Sequence, residues 1–219
     1  VWNSGLSSDI FNDLYQPIQL ETFLSNRLLG HAAPKARIDF NPIKRKINSL
    51  KTLKIARDHV LLGLGGNLML DLDELCIMNS RVFLEDFHIL PNLKRLVLTN
   101  CTFEHTEHIQ ETLAYFPNLE LLDINNNGWR LRKFKEMPRL KKLNVIGNIL
   151  EDLDIFCALF NLENLKYGIG YIPMPIHSNQ PKISINLTPL KKLRQLLVTS
   201  WPMSINQEQY SHVENVSLP

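Results

Sequence analysis

Apolar and polar residues follow one recurring frame along this chain, Leu-x-x-Leu-x-Leu, with Ile, Val or Tyr able to stand in the last place. It first appears at Leu50, Leu53 and Ile55 and returns at Leu72, Leu75 and Ile77, then at Leu93, Leu96 and Leu98. Further copies start at Leu119, Leu140, Leu162 and Leu193. Successive starts lie 22, 21, 26, 21, 22 and 31 residues apart, and an eighth frame opens at Val213, Val216 and Leu218. Side chains alternate with period two along a strand, so the fourth and sixth positions of each frame point to one side. One such strand cannot hide its apolar face, so neighbouring frames must stack. Each fully buried leucine then contributes roughly 1.5–3 kcal/mol. Pro91, Pro117 and Pro138 stand two residues before Leu93, Leu119 and Leu140. Proline ends a preceding helical turn and favours extended backbone before it. The pattern predicts short helices over 82–89, 107–115 and 152–160 on the return segments, and a surface loop over 171–181, where Pro173, Pro175 and Pro181 fall.

These frames resemble the leucine-rich repeat family, over about residues 47–219. The family motif continues with Asn or Cys at the ninth position and an apolar residue at the eleventh. Cys101 with Phe103, Asn127 with Trp129, and Asn148 with Leu150 match it, while Asp58, Ser80, Gly170 and Trp201 depart from it. A buried amide at that place can satisfy backbone groups of the turn that leaves the strand. The resemblance implies an α/β solenoid, a horseshoe with parallel strands on its concave side and helical or 3-10 returns on its convex side. Seven repeats and the start of an eighth are expected. Ending on a half-formed repeat leaves an open strand edge, so a truncated chain or a covered edge is expected.

Residues 1–46 do not repeat in this reading and are expected to form a helical N-terminal cap or docking segment. Ser7 or Ser8 can cap a helix that places Ile10, Phe11, Leu14 and Tyr15 on one face. A second helix is expected over 19–29, with Leu20, Phe23, Leu24 and Leu28 on one face, and a strand over 36–40. The stretch from Leu6 to Tyr15 resembles the opening of an F-box, with Ser7 where the usual proline stands. The stretch from Leu20 to Leu29, with Arg27, Leu28 and Leu29, resembles a segment of Zyg-11/Zer1-type substrate receptors of cullin-RING ubiquitin ligases. These resemblances imply docking to elongin C or Skp1 through Ile10, Leu14, Leu24 and Leu28, although the sequence holds no elongin-binding box with its Cys in an apolar helix.

Leucine makes up 38 of 219 residues, and the hydrophobic share of 44% is that of a globular chain. The formal charge of +2 is too balanced to argue for nucleic acid. Apolar stretches are interrupted well before about 18 residues, so no membrane span is expected. Three scattered cysteines, Cys76, Cys101 and Cys157, do not make a disulfide framework and suit a reducing, intracellular compartment. Cys76 is expected at an outward strand position as a partly exposed thiol, and Cys101 and Cys157 as buried packing residues. His105 and His108, with Glu104 and Glu107, lack a third or fourth partner for zinc. Gly63, Gly65 and Gly66 lack the spacing of a phosphate loop. The basic clusters 44–54 and 130–142 read as solvated faces. No catalytic constellation, cofactor or metal site is expected, so the chain is read as a non-enzyme.

Function must then reside on a surface. Alternation turns Met78, Arg95, Val97, Leu121, Asp123, Lys142, Asn144 and Ile146 toward the concave side, an apolar centre with charged neighbours. Protein-binding patches have that composition, and phosphate-tracking ones are richer in Lys and Arg. The expected function is non-catalytic protein recognition, in its specific form as a substrate receptor or adaptor of a cullin-RING ligase. The alternatives are a scaffold subunit of an intracellular complex or a secreted recognition protein.

Overall fold

The computed structural model of the chain describes residues 2–3, 22–26, 37–39, 50–56, 59–61, 71–83, 90–103, 113, 116–152, 154–168, 185–199 and 211–218. Two compact units divide it, Val1–Phe116 and Pro117–Pro219.

In the first unit the strands are β1 (Trp2–Asn3), β2 (Thr22–Asn26), β3 (Arg37–Asp39), β4 (Thr52–Ala56), β5 (His59–Leu61), β6 (Glu74–Met78), β7 (Arg81–Phe83), β8 (Arg95–Thr99) and β9 (Thr102–Phe103). They form two ladders, both wholly parallel. The main ladder runs β1-β2-β4-β6-β8 and the smaller one β3-β5-β7-β9. From β2 on, each turn of chain adds one strand to each ladder, which makes the unit a repeat solenoid. The register sets Leu53 beside Leu75 and Leu75 beside Leu96, with Ile55, Ile77 and Leu98 forming the next row. All six are buried.

In the second unit the strands are β10 (Leu121–Asp123), β11 (Arg130–Leu131), β12 (Lys142–Asn144), β13 (Ile149–Leu150), β14 (Asn164–Tyr167), β15 (Gln195–Val198) and β16 (Asn215–Ser217). The parallel ladder β10-β12-β14-β15-β16 stacks Leu122, Leu143, Leu165, Leu196 and Val216 in register, and β11 pairs with β13. The first four of those side chains are buried, whereas Val216, on the last rung, is 38% exposed. Beneath them Phe134 stacks on Phe156 with ring centres 6.3 Å apart, and Phe156 meets Tyr167 at 6.0 Å.

Two of the three prolines sit in tight turns, and Pro138 does not end the helical turn expected of it, because residues 132–137 are not helical. Leu93 N–H donates to Leu90 C=O at 3.1 Å and Leu140 N–H to Met137 C=O at 3.0 Å, so Pro91 and Pro138 occupy the second place of tight turns that feed the next strand. β6, β8, β10 and β12 are followed by a turn at the eighth position of the frame, where Asn79, Asn100, Asn126 and Gly147 take positive φ of 52°, 52°, 56° and 76°. Asparagine and glycine are the residues that tolerate this conformation.

Among the described residues helix is scarce, which corrects several expectations. In place of a helix over 19–29, Thr22–Asn26 forms β2, with Phe23 beside Leu53 and Ser25 beside Ile55. The segment is therefore one more turn of the stack, with Ser25 in the last place of the frame. Pairing satisfies the backbone edge of β4, which local helical periodicity cannot do. The strand expected over 36–40 is β3. Of the helix expected over 82–89, Arg81–Phe83 belongs to β7 and the rest lies outside the described residues. Of that over 107–115, Leu113 alone is described and is helical. Residues 154–158 form turns in place of the helix expected over 152–160, with Cys157 N–H donating to Asp154 C=O at 3.0 Å and Leu159 N–H to Phe156 C=O at 2.9 Å. Bonds of this three-residue spacing rise about 2 Å per residue and cover the return in fewer residues than an α-helix. The first expected helix, with Ile10 and Leu14, and the loop over 171–181 lie outside the described residues.

Candidate functional site

The strand residues that point away from the core form rows of known register. In the first unit one row holds Thr52, Glu74 and Arg95, the next Lys54, Cys76 and Val97, and the third Ala56, Met78 and Thr99. Glu74 sits between two cations: Lys54 Nζ lies 3.1 Å from its Oε2, and Arg95 Nε lies 3.1 Å from its Oε1. All three side chains are partly exposed, so each pair contributes no more than about 1 kcal/mol. Their charges are nonetheless satisfied within the face. Leu24 of β2 occupies the register place beside Lys54. Ile10, Leu14 and Leu28 are outside the described residues.

Two sequence-based expectations fail in this unit. Val97 and Cys76, adjacent rungs of the middle row, are each only 7% exposed. Alternation gives direction and not depth: strands about 4.8 Å apart leave short side chains sunk between longer neighbours. Met78 does reach solvent, at 37% exposure.

The second unit brings four of the expected residues together on two adjacent strands, with Leu121 beside Lys142 and Asp123 beside Asn144. Ile146 follows β12 and is half-buried. Asp123 and Asn144 are partly committed to the fold. Asp123 Oδ1 accepts from Asn125 Nδ2 at 2.6 Å and from Asn125 N–H at 3.2 Å, while its Oδ2 accepts from Asn144 Nδ2 at 3.1 Å. Asn144 Oδ1 accepts from Ile146 N–H at 3.3 Å. These side chains pin the turn that follows each strand. Lys142 and Lys166 are exposed and form no ion pair with any described residue. Asn164 donates to Gln195 one strand further on, and Leu121 and Leu197 are half-buried on the same face.

A row just before the strands was legible and overlooked. In the second position of each frame the charges alternate: Lys51, Asp73 and Lys94 in the first unit, then Glu120, Lys141, Glu163, Arg194 and Glu214 in the second. Lys94 Nζ lies 3.0 Å from Asp73, and Lys141 Nζ 3.6 Å from Glu120. In these two pairs the row supplies its own counter-charges.

The ninth position behaves as the amide argument requires. Asn148 Nδ2 donates to Ile124 C=O at 2.8 Å and to Val145 C=O at 3.1 Å, and its Oδ1 accepts from Trp129 N–H at 3.0 Å. Ser80, a departure from the motif, is also buried, and its hydroxyl donates to Met78 C=O at 2.8 Å. At the eighth position Asn100 Nδ2 donates to Asn79 Oδ1 across 2.7 Å, linking successive turns.

All three cysteines are free. Cys76 and Cys101 are buried, and Cys157 is half-buried, which corrects the expectations for the first and the last. Burial pushes the Cys101 thiol up to about 11. Burial, then the Asp154 carboxylate that accepts from its S–H, pushes Cys157 up to about 11 as well. Thiolate is the reactive form, so at pH 8 each should alkylate about a hundredfold more slowly in the native chain than in urea. Mass spectrometry of the labelled peptides reads both rates, and equal native and unfolded rates would rule out this protection.

Arg130 and Arg132 of the second basic cluster both bind Glu151, at 2.9 and 3.1 Å, and hold its carboxyl below the usual range. Residues 44–49 of the first cluster lie outside the described residues, as do His105, His108 and Gly63 to Gly66. Among the described residues no three His, Cys, Asp or Glu side chains stand together as metal ligands, and no helix is long and apolar enough to cross a membrane. Comparison with known protein families finds no matching family model, and comparison with curated proteins finds no match.

Proposed function

We propose that this chain is a non-catalytic recognition module of the leucine-rich repeat type, which binds another protein through its outward strand face. The observation that carries the reading is the second unit's face. There half-buried Leu121, Ile146 and Leu197 lie among exposed Lys142, Lys166 and Gln195 on paired strands. The ladder consumes the backbone donors and acceptors of these strands, so side chains alone are left to recognise a partner. Apolar groups surrounded by charges and amides suit a protein partner. Three free thiols favour an intracellular setting.

The ubiquitin-ligase version of this reading has less support. The segment that resembles the Zyg-11/Zer1-type receptors carries β2 where a docking helix was expected.

The test is a photo-cross-linking residue placed at Ile146, in cells that express the full chain. We expect covalent capture of a protein there and none from the same residue at Arg132, which lies off this face. Equal capture at both places, or at neither, would remove the strand face as the binding site. Co-purification with elongin C or Skp1 that needs residues 1–34 would restore the ligase version.

A further inference from the structure

Resting on that reading, the second unit's face also says what kind of protein segment fits it. Lys142 lies on β12 and Lys166 on β14, which are adjacent and parallel, with Lys142 beside Asn164 and Asn144 beside Lys166. The two lysines are thus offset by one strand and two residues. With strands about 4.8 Å apart and a rise of about 3.3 Å per residue, their Cα atoms are about 8 Å apart. Both are exposed, and neither pairs with a described residue.

Four other cations near the strands are matched inside the fold, whereas Lys51 and Arg194, just before β4 and β15, have no ion pair with a described residue. Lys54 and Arg95 share Glu74, Lys94 pairs with Asp73, and Lys141 pairs with Glu120. Asp123 is the one acidic side chain among the described outward strand residues of the second unit, and both its oxygens already accept amide hydrogen bonds. The two lysines therefore present charge that a partner must complement. Around them lie polar groups able to bond a peptide backbone, namely Asn164, Gln195 and Ser217, and the half-buried Ile146 and Leu197.

We propose that this face binds an extended acidic peptide segment, with carboxylates at positions i and i+2 on Lys142 and Lys166. Residues two apart on an extended chain lie about 6.6 Å apart on the same side, close to the lysine spacing and within the reach of their side chains. Charge matching of this kind selects a partner more than it adds affinity. A single nucleic-acid strand fits less well. Two cations are few for a phosphate track, and no aromatic residue stands at the described outward strand positions to stack a base.

The probe is an array of 12-residue peptides with two Glu residues at spacings i+1, i+2, i+3 or i+4, the matching Gln peptides, and neutral apolar peptides, each incubated with the full chain. An oligothymidine of 12 nucleotides is titrated in parallel. We expect the i+2 Glu peptides to be retained best. Lys142→Gln or Lys166→Gln should each weaken them about two- to fivefold, the upper part of the range for an exposed ion pair, and the double variant more. Both residues are exposed, so thermal melting of the variants should be unchanged. Retention indifferent to Glu spacing, unaffected by the double variant, or weaker than oligothymidine binding overturns the acidic-segment proposal. If neutral peptides are retained instead and Leu197→Asp releases them, protein recognition by the face stands and only its acidic preference fails. If no peptide is retained through this face, both fall.

Discussion

Gly147→Ala should lower the free energy of unfolding by about 3 kcal/mol. Gly147 has φ of 76°, a conformation that costs an ordinary residue about 1–2 kcal/mol. It also has no room. A Cβ there would meet the Asn126 side-chain oxygen and lie 2.9 Å from Asn126 Cα and 3.0 Å from Asn126 N. The side chain can swing aside, but the backbone is held, since Asn126 N–H donates to Ile146 C=O at 2.7 Å. Gly128 is the control. Its φ is 67°, yet nothing lies within 4 Å of its added Cβ, so Gly128→Ala should cost about 1 kcal/mol. Urea unfolding of both variants measures the difference. Equal losses would mean that backbone conformation alone matters and that the close approach of successive turns does not.

Asn148→Ala should cost about 2.5 kcal/mol, again by urea unfolding. The amide serves three backbone groups, but they do not lose equally. Ile124 C=O keeps the amide of Asn127 at 3.0 Å, and Val145 C=O keeps the N–H of residue 148 at 3.3 Å. Trp129 N–H, buried, loses the Asn148 oxygen it donates to, and an unsatisfied buried donor costs about 1–3 kcal/mol. Asn148→Asp separates the two roles, because it keeps an acceptor for Trp129 and faces the two carbonyls with a charge. We expect it to be at least as damaging as alanine. A loss under about 1 kcal/mol for both variants would show that water replaces the amide.

The frame made the inward rows legible. Leu122, Leu143, Leu165 and Leu196 stack as the spacing implies, and the role of Asn148 followed from its place in the motif. Elsewhere, pattern and outcome part for identifiable reasons. The stretch Leu20, Phe23, Leu24 and Leu28 fits a helical period, and the same residues fit the strand frame once Ser25 is allowed in its last place. Local periodicity cannot choose between them, and pairing with β4 does. β7 was hidden because Val82 and Phe83 also begin an apolar helical stripe. Val97 was placed on the correct side of its strand, but its depth depends on the length of its neighbours' side chains, which alternation does not encode. The eighth-position series Asn79, Asn100, Asn126 and Gly147 was present in the letters all along. It has meaning once the left-handed turn it serves is known.

The alternating charges ahead of the strands constrain how such a chain can lengthen or shorten. In the second unit the row reads Glu120, Lys141, Glu163, Arg194 and Glu214. Excising residues 121–141 would keep every leucine in phase and yet set Glu120 beside Glu163, where like charges repel. Excising 121–163 would set Glu120 beside Arg194 and keep the attraction. The apolar period is one turn, but the electrostatic period is two. Duplications and deletions in the ancestry of this sequence are therefore best tolerated in pairs of turns, and a lineage that gained a single turn should carry a compensating change of sign beside it.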